Sequence, residues 1–198
     1  MFVVMLIAGC GADTQKPGGH SPESNQSSER VADIDLDDPE IRKRVIAEAI
    51  AVDKFQRRDE SGDDLAYAPN EQKPYSGWEK EMHRNGRIWW LSQWKAGKKN
   101  GLMKLWHENG QKSMEANYKE GKRDGLATEW FENGQKELEA NYKDGKQDGL
   151  ETGWYQNGEK EYEGNHKDGK QHGLWVFYNE EGTVKSRITF KDGETVED

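Results

Sequence analysis

The sequence predicts a mainly β protein: an elongated antiparallel meander of five 24-residue β-hairpin repeats, with one N-terminal α-helix and a disordered tether ahead of it. Three observations predict this. Gly77, Gly101, Gly125, Gly149 and Gly173 recur at one fixed interval, as do Gly86, Gly110, Gly134, Gly158 and Gly182, and Gly97, Gly121, Gly145, Gly169 and Gly193. Asn-Gly, the strongest short-range hairpin signal, recurs at Asn85, Asn109, Asn133 and Asn157. Two aromatic series keep the same register, Trp106, Trp130, Trp154 and Tyr178, and Trp94, Tyr118, Tyr142, His166 and Phe190. Fixed self-similarity of this length marks a stacked repeat array, in which each unit buries its apolar surface only against its neighbours.

Composition agrees. Of 198 residues, 32% are hydrophobic and 34% charged, which disfavours a large spherical core, yet there are 8 Trp, 7 Tyr and 5 Phe. The 22 glycines against 5 prolines suit a thin, turn-rich sheet built on ring packing. The net charge is -9, so there is no net basic excess to attract a phosphate backbone, and nucleic acid is not an expected partner.

In chain order, residues 1–9 (MFVVMLIAG) read as the end of a signal peptide, followed by the single cysteine, Cys10. Leu6-Ile7-Ala8-Gly9-Cys10 resembles a bacterial lipobox, which implies cleavage before Cys10 and its lipidation. No Lys or Arg precedes Cys10, a departure from that pattern. A lone cysteine also excludes an internal disulfide and a thiolate-rich metal site. Residues 10–32 form the lipidated cysteine and a flexible tether: the stretch is Gly, Ser, Pro, Gln, Asn and charge, too polar to offset its ordering entropy.

Residues 33–74 hold a helix and a lead-in to the repeats. Asp38 suits an N-cap, Pro39 the first helical position and Glu40 the positive helix end. Ile41, Val45, Ile46, Ala49, Ile50 and Val52 follow at helical spacing, predicting a helix over about 39–57. The stripe is expected to pack on the start of the β domain or to bind a partner. Asp33, Asp35 and Asp37 resemble the opening of a calcium loop, but the sixth and twelfth positions hold Asp38 and Arg44 rather than Gly and Glu.

Residues 75–198 form the repeat domain, with units starting at 77, 101, 125, 149 and 173 and Pro74–Trp78 as a first strand. In each unit Asn-Gly is expected to form a two-residue turn with both φ angles positive, and Lys-(Asp/Glu/Ala)-Gly-Lys the return connection. Leu102, Leu126, Leu150 and Leu174 follow the first glycine; Met114, Leu138 and Tyr162 alternate with Ala116, Ala140 and Gly164, which places them on one face. A two-residue and a three-residue turn set Trp106 on opposite sides relative to Met114. Trp94, Trp106, Tyr118, Trp130, Tyr142, Trp154 and Tyr178 are the candidate residues, either as a core ladder or as a binding surface.

The grammar resembles the bacterial MORN-variant repeat, a relative of the membrane occupation and recognition nexus motif. The resemblance rests on Trp-(His/Phe/Tyr)-x-Asn-Gly at 106, 130 and 154, Asn-Tyr-Lys at 117–119 and 141–143, and Asp-Gly-Lys at 144–146 and 168–170. It spans roughly 75–196. The first unit departs, with Met82-His83 at the Trp position, and the last lacks Asn-Gly. The resemblance implies scaffolds that contact lipids or proteins, and includes proteins labelled antitoxins.

Catalytic grammar is lacking. His20, His83, His107, His166 and His172 are scattered, and no His-x-x-x-His, Cys-x-x-Cys or phosphate-cradling loop occurs. The expectation is a non-enzymatic, cofactor-free, metal-free lipoprotein that presents a protein-interaction surface at a bacterial inner or outer membrane, facing periplasm or exterior. The alternatives are glycan or lipid-headgroup binding through exposed aromatics, and antitoxin-like inhibition of a partner toxin.

Overall fold

A computed structural model describes residues 34–60 and 62–196. The signal peptide, Cys10 and the tether lie outside the described residues. The helix α1 spans Pro39–Glu48. Asp38 caps it, its carboxylate accepting from the N–H groups of Glu40 at 2.8 Å and Ile41 at 3.1 Å, which satisfies two of the donors that open any helix.

The helix is nine residues shorter than its apolar stripe predicts. Ala49 is extended, and Ile50–Ala51 (β1) pairs in parallel with the first meander strand. Sheet pairing there overrides helical propensity. A single 3-10 turn, Val52–Lys54, follows, then a hairpin of Gln56–Glu60 (β2) and Asp63–Tyr67 (β3).

Ten strands make the meander: β4 Gly77–Met82, β5 Ile88–Lys95, β6 Lys98–Trp106, β7 Lys112–Lys119, β8 Lys122–Trp130, β9 Lys136–Lys143, β10 Lys146–Trp154, β11 Lys160–Lys167, β12 Lys170–Tyr178 and β13 Val184–Lys191. With β1 at one edge and β14 (Glu194–Val196) at the other they form one sheet in sequence order. Pro74–Ser76 precedes the first meander strand rather than belonging to it: Tyr75 bonds through its N–H to Ala66 and through its C=O to Gly97.

The turn chemistry is the reverse of the expected assignment. At His107–Gln111, Gly110 N–H bonds His107 C=O at 2.9 Å and His107 N–H bonds Gln111 C=O at 2.8 Å. Only the glycine has positive φ, +94°, so this is a three-residue loop with a glycine bulge. The two-residue turns with both φ positive are the return connections, as at Glu120 (+49°) and Gly121 (+81°). Asparagine is held out of the left-handed region by its own side chain: Asn109 Oδ1 accepts from Gln111 N–H at 2.9 Å, a local side-chain turn.

The same residue stitches units together. Nδ2 of Asn85, Asn109, Asn133 and Asn157 donates to the backbone carbonyls of Glu108, Glu132, Gln156 and Glu180, one unit onward. On the other margin the turn glycines Gly121, Gly145 and Gly169 donate to Lys99, Arg123 and Gln147 of the preceding unit. Each unit is thus tied to the next at both margins, beyond the strand ladder itself.

Candidate interaction surface

Register fixes which side chains share a face. Leu105 pairs with Met114, then the register shifts and Trp106 pairs with Lys112. The three-residue loop therefore sends Trp106 to the side away from Met114. The two aromatic series lie on opposite faces of the sheet.

On one face stand Trp94, Tyr118 and Tyr142. Met114, Ala116 and Ala127 form a buried strip there with Leu105 and both tyrosines packed against it. Arg123 joins the rings, its Nε 3.3 Å from the Tyr118 hydroxyl and Nη1 3.2 Å from that of Tyr142. The β2–β3 hairpin and its flanks close this face at its start. Phe55 stacks on Trp94 at 5.5 Å, Arg57 lies 5.0 Å from the same ring, and Trp94 Nε1 donates to Glu79 at 3.0 Å. Burial pushes the Glu79 carboxyl above the usual range, against the Trp94 hydrogen bond and the Lys99 ammonium.

Toward the last units the same face carries a cluster with Glu151 at its centre. Its carboxylate accepts from Gln147 Nε2 at 2.7 Å and the Tyr162 hydroxyl at 2.9 Å, and His166 Nδ1 lies 3.2 Å away. Trp175 packs over Gly164, stacked with Tyr162 at 5.7 Å and edge-on to His166 at 5.2 Å. Burial, then the Glu151 charge, raises the Tyr162 phenol. Sequence spacing marks Tyr162 and His166 as repeat positions but does not reveal that they converge on Glu151.

The other face carries Trp106, Trp130, Trp154 and Tyr178, and here α1 docks. Leu36, Val45 and Ala49 form a buried cluster with Leu91 and Trp106, flanked by Ile41, Ile46, Trp78, Ile88 and Leu102. Fully burying one such side chain contributes roughly 1.5–3 kcal/mol. Polar contacts fix the orientation. Asp37, before the helix, lies 3.1 Å from both Lys104 of β6 and Lys112 of β7. Arg42 sits over Trp106, and Lys80 of β4 donates to Ile46 C=O at 2.6 Å. The helix accordingly runs across the strands, from β7 toward β4. Burial pushes the Asp37 carboxyl up, but hydrogen bonds and charge from Lys112 and Lys104 outweigh it and hold it below the usual range.

Beyond α1 this face is uncovered among the described residues. Leu102 is half-buried beside the helix, whereas its equivalents Leu126, Leu150 and Leu174 are 47%, 49% and 52% exposed. Successive tryptophans are separated by lysines: Lys112 lies 4.8 Å from the Trp130 ring and Lys136 5.6 Å from that of Trp154. Each of Lys112, Lys136 and Lys160 also pairs with a glutamate three residues on. The lysine rungs are not among the candidate residues that the sequence offers.

Four consecutive segments, 99–120, 123–144, 147–168 and 171–192, match the MORN repeat variant. Residues 99–192 hold four tandem MORN-variant repeats. The matches keep the 24-residue interval and correspond to the hairpins from β6 onward; the first hairpin, β4–β5, lies outside them. No curated protein matches the chain. MORN repeats are generally protein- or membrane-interaction repeats and are a non-catalytic repeat type. Among the described residues no group of three or more His, Cys, Asp or Glu is arranged to hold a metal ion, and no helix is long and apolar enough to cross a membrane.

Proposed function

We propose that the MORN-variant repeats provide a non-catalytic protein-interaction surface, held at the membrane of a bacterial envelope by a lipid on Cys10 and the polar segment after it. The observation that carries the interaction reading is the row Leu126, Leu150 and Leu174, each about half exposed and repeated on the one face whose first units already hold a helix. Regular, exposed apolar residues on a single-layer sheet favour a partner over solvent. The anchor rests on the resemblance of Leu6–Cys10 to a lipobox, and two acyl signals hold a protein more durably than one.

Two measurements test this. Incorporation of a labelled fatty acid into the full chain, lost in Cys10→Ala, is expected; labelling that persists in that variant removes the anchor. A photo-crosslinking side chain at position 150 is expected to capture a protein in intact cells, and one at position 120, on a margin turn, is not. Equal or no capture at both sites removes the interaction surface. Glycan stacking is less well supported, because Lys112 and Lys136 lie over the Trp130 and Trp154 rings that a sugar would need.

A further inference from the structure

The intramolecular docking of α1 supplies a template for what the open units bind. We infer that the face formed by β8–β13 takes an amphipathic partner helix, laid across the strands as α1 is laid across β4–β7, with an apolar residue at about every seventh position and an acidic residue near its N-terminus. This rests on the interaction reading above and names the partner's chemistry.

The equivalence is positional. One unit onward from Leu102 and Trp106, which belong to the cluster that α1 joins, stand Leu126 and Trp130; then come Leu150 and Trp154, and Leu174 and Tyr178. The apolar half of the α1 seat is therefore present three more times. Each unit advances two strands, about 10 Å at ~4.8 Å per strand. A helix rising 1.5 Å per residue covers that step in about six or seven residues, close to two turns. Its apolar side chains at i, i+7 and i+14 would then meet Leu174, Leu150 and Leu126 in turn, in the direction that α1 runs. A helix of about 15 residues spans all three.

Charge sets the polar requirement. In the template, Lys112 holds two carboxylates, Glu115 of its own strand and Asp37 of the helix lead-in. Lys136 and Lys160 occupy the same position, pair with Glu139 and Glu163, and keep side chains 48% and 46% exposed. Among the described residues the second carboxylate of the template has no counterpart there. Lys104, the other Asp37 partner, is replaced by Thr128, Thr152 and Val176, so one lysine rather than two would receive the partner's acid, and the seat is more apolar than the template.

The test uses a fluorescent peptide of residues 34–52 of this chain, stapled on its polar face to hold it helical, titrated into the full chain and followed by anisotropy. Saturable binding is expected, weakened at least tenfold by Leu150→Glu, several-fold by Lys160→Glu, and several-fold by Asp37→Asn in the peptide. Circular dichroism of both protein variants should match the parent, since these side chains are half exposed. Absence of binding, or binding insensitive to Leu150→Glu, overturns the inference. Co-sedimentation of the chain with anionic phospholipid vesicles, lost in Leu150→Glu while the peptide fails to bind, also overturns it in favour of a lipid surface. If the peptide fails but the crosslinker at position 150 still captures a protein, the interaction surface stands and its helical ligand does not.

Discussion

Asp37 Oδ1 lies 3.1 Å from Lys104 Nζ, an ammonium whose side chain is only 5% exposed. This contact pins the turn before α1 to the second hairpin and fixes where the helix lies. Glu115, 3.0 Å from the same ammonium, completes its neutralisation.

Asp37→Asn should loosen the helix without unfolding the sheet. The carboxylate is half exposed and Lys104 keeps Glu115, so the cost should be about 1 kcal/mol. The sign with pH follows from the lowered carboxyl pKa. Its stabilisation is present above the unfolded-chain value and is lost as pH falls through the folded value. Urea unfolding followed by tryptophan fluorescence should therefore show a shallower acid limb in Asp37→Asn than in the parent.

Trp106→Ala should cost about 3–5 kcal/mol, because the side chain is 2% exposed between α1 and the sheet and its loss leaves a cavity. Trp154→Ala, at the same repeat position but without a helix above it, should cost roughly 1–2 kcal/mol. Chemical denaturation of the two variants gives the comparison. Equal losses would contradict the distinction between covered and open units.

Gly164→Ala tests packing rather than backbone freedom. Its backbone is not in the positive-φ region, but an added Cβ would meet the Trp175 ring. A loss of about 1–3 kcal/mol is expected, with a changed near-ultraviolet circular dichroism band from Trp175. Gly121→Ala should lose by another route: φ is +81° with nothing within 4 Å of the added atom, so the penalty is conformational, roughly 1 kcal/mol.

Glu79→Gln should be neutral or stabilising at pH 7. The folded pKa is raised, so ionisation is penalised in the folded state and stability is greater below that value than above it. Glutamine keeps an acceptor for Trp94 Nε1 without the buried charge. A melting temperature that falls at pH 7 but not at pH 4 would show that Lys99, 4.0 Å from Glu79, depends on the carboxylate more than burial opposes it.

The glycine and aromatic series were legible because a repeat array writes its core into the chain at one interval. The turn types were not. Asn-Gly suits a two-residue turn locally, and the larger loop is favoured by what Asn109 bonds, its own Gln111 N–H and the carbonyl of Glu132 in the next unit. The latter contact is invisible to a local rule. The helix end was hidden for a similar reason: Ile50 and Ala51 continue the apolar stripe but pair with β4. The β2–β3 hairpin, with Gln56-Arg57-Arg58-Asp59-Glu60 on one side, has almost no apolar alternation, and its burial lies at Ala66 and Tyr67, beneath the margin of the sheet. The candidate aromatics were identified as repeat positions, but their division between two faces required the register.

The paired stitches at asparagine and turn glycine have a consequence for how such a chain can change. Each junction repeats the same handshake, so a further 24-residue copy inserted between Gly125 and Gly173 would meet ready-made neighbours on both sides. It would extend the molecule by a fixed increment of about 10 Å and leave the helix seat at the beginning undisturbed. Length can therefore be altered in whole steps by duplication or deletion, independently of the part that anchors α1.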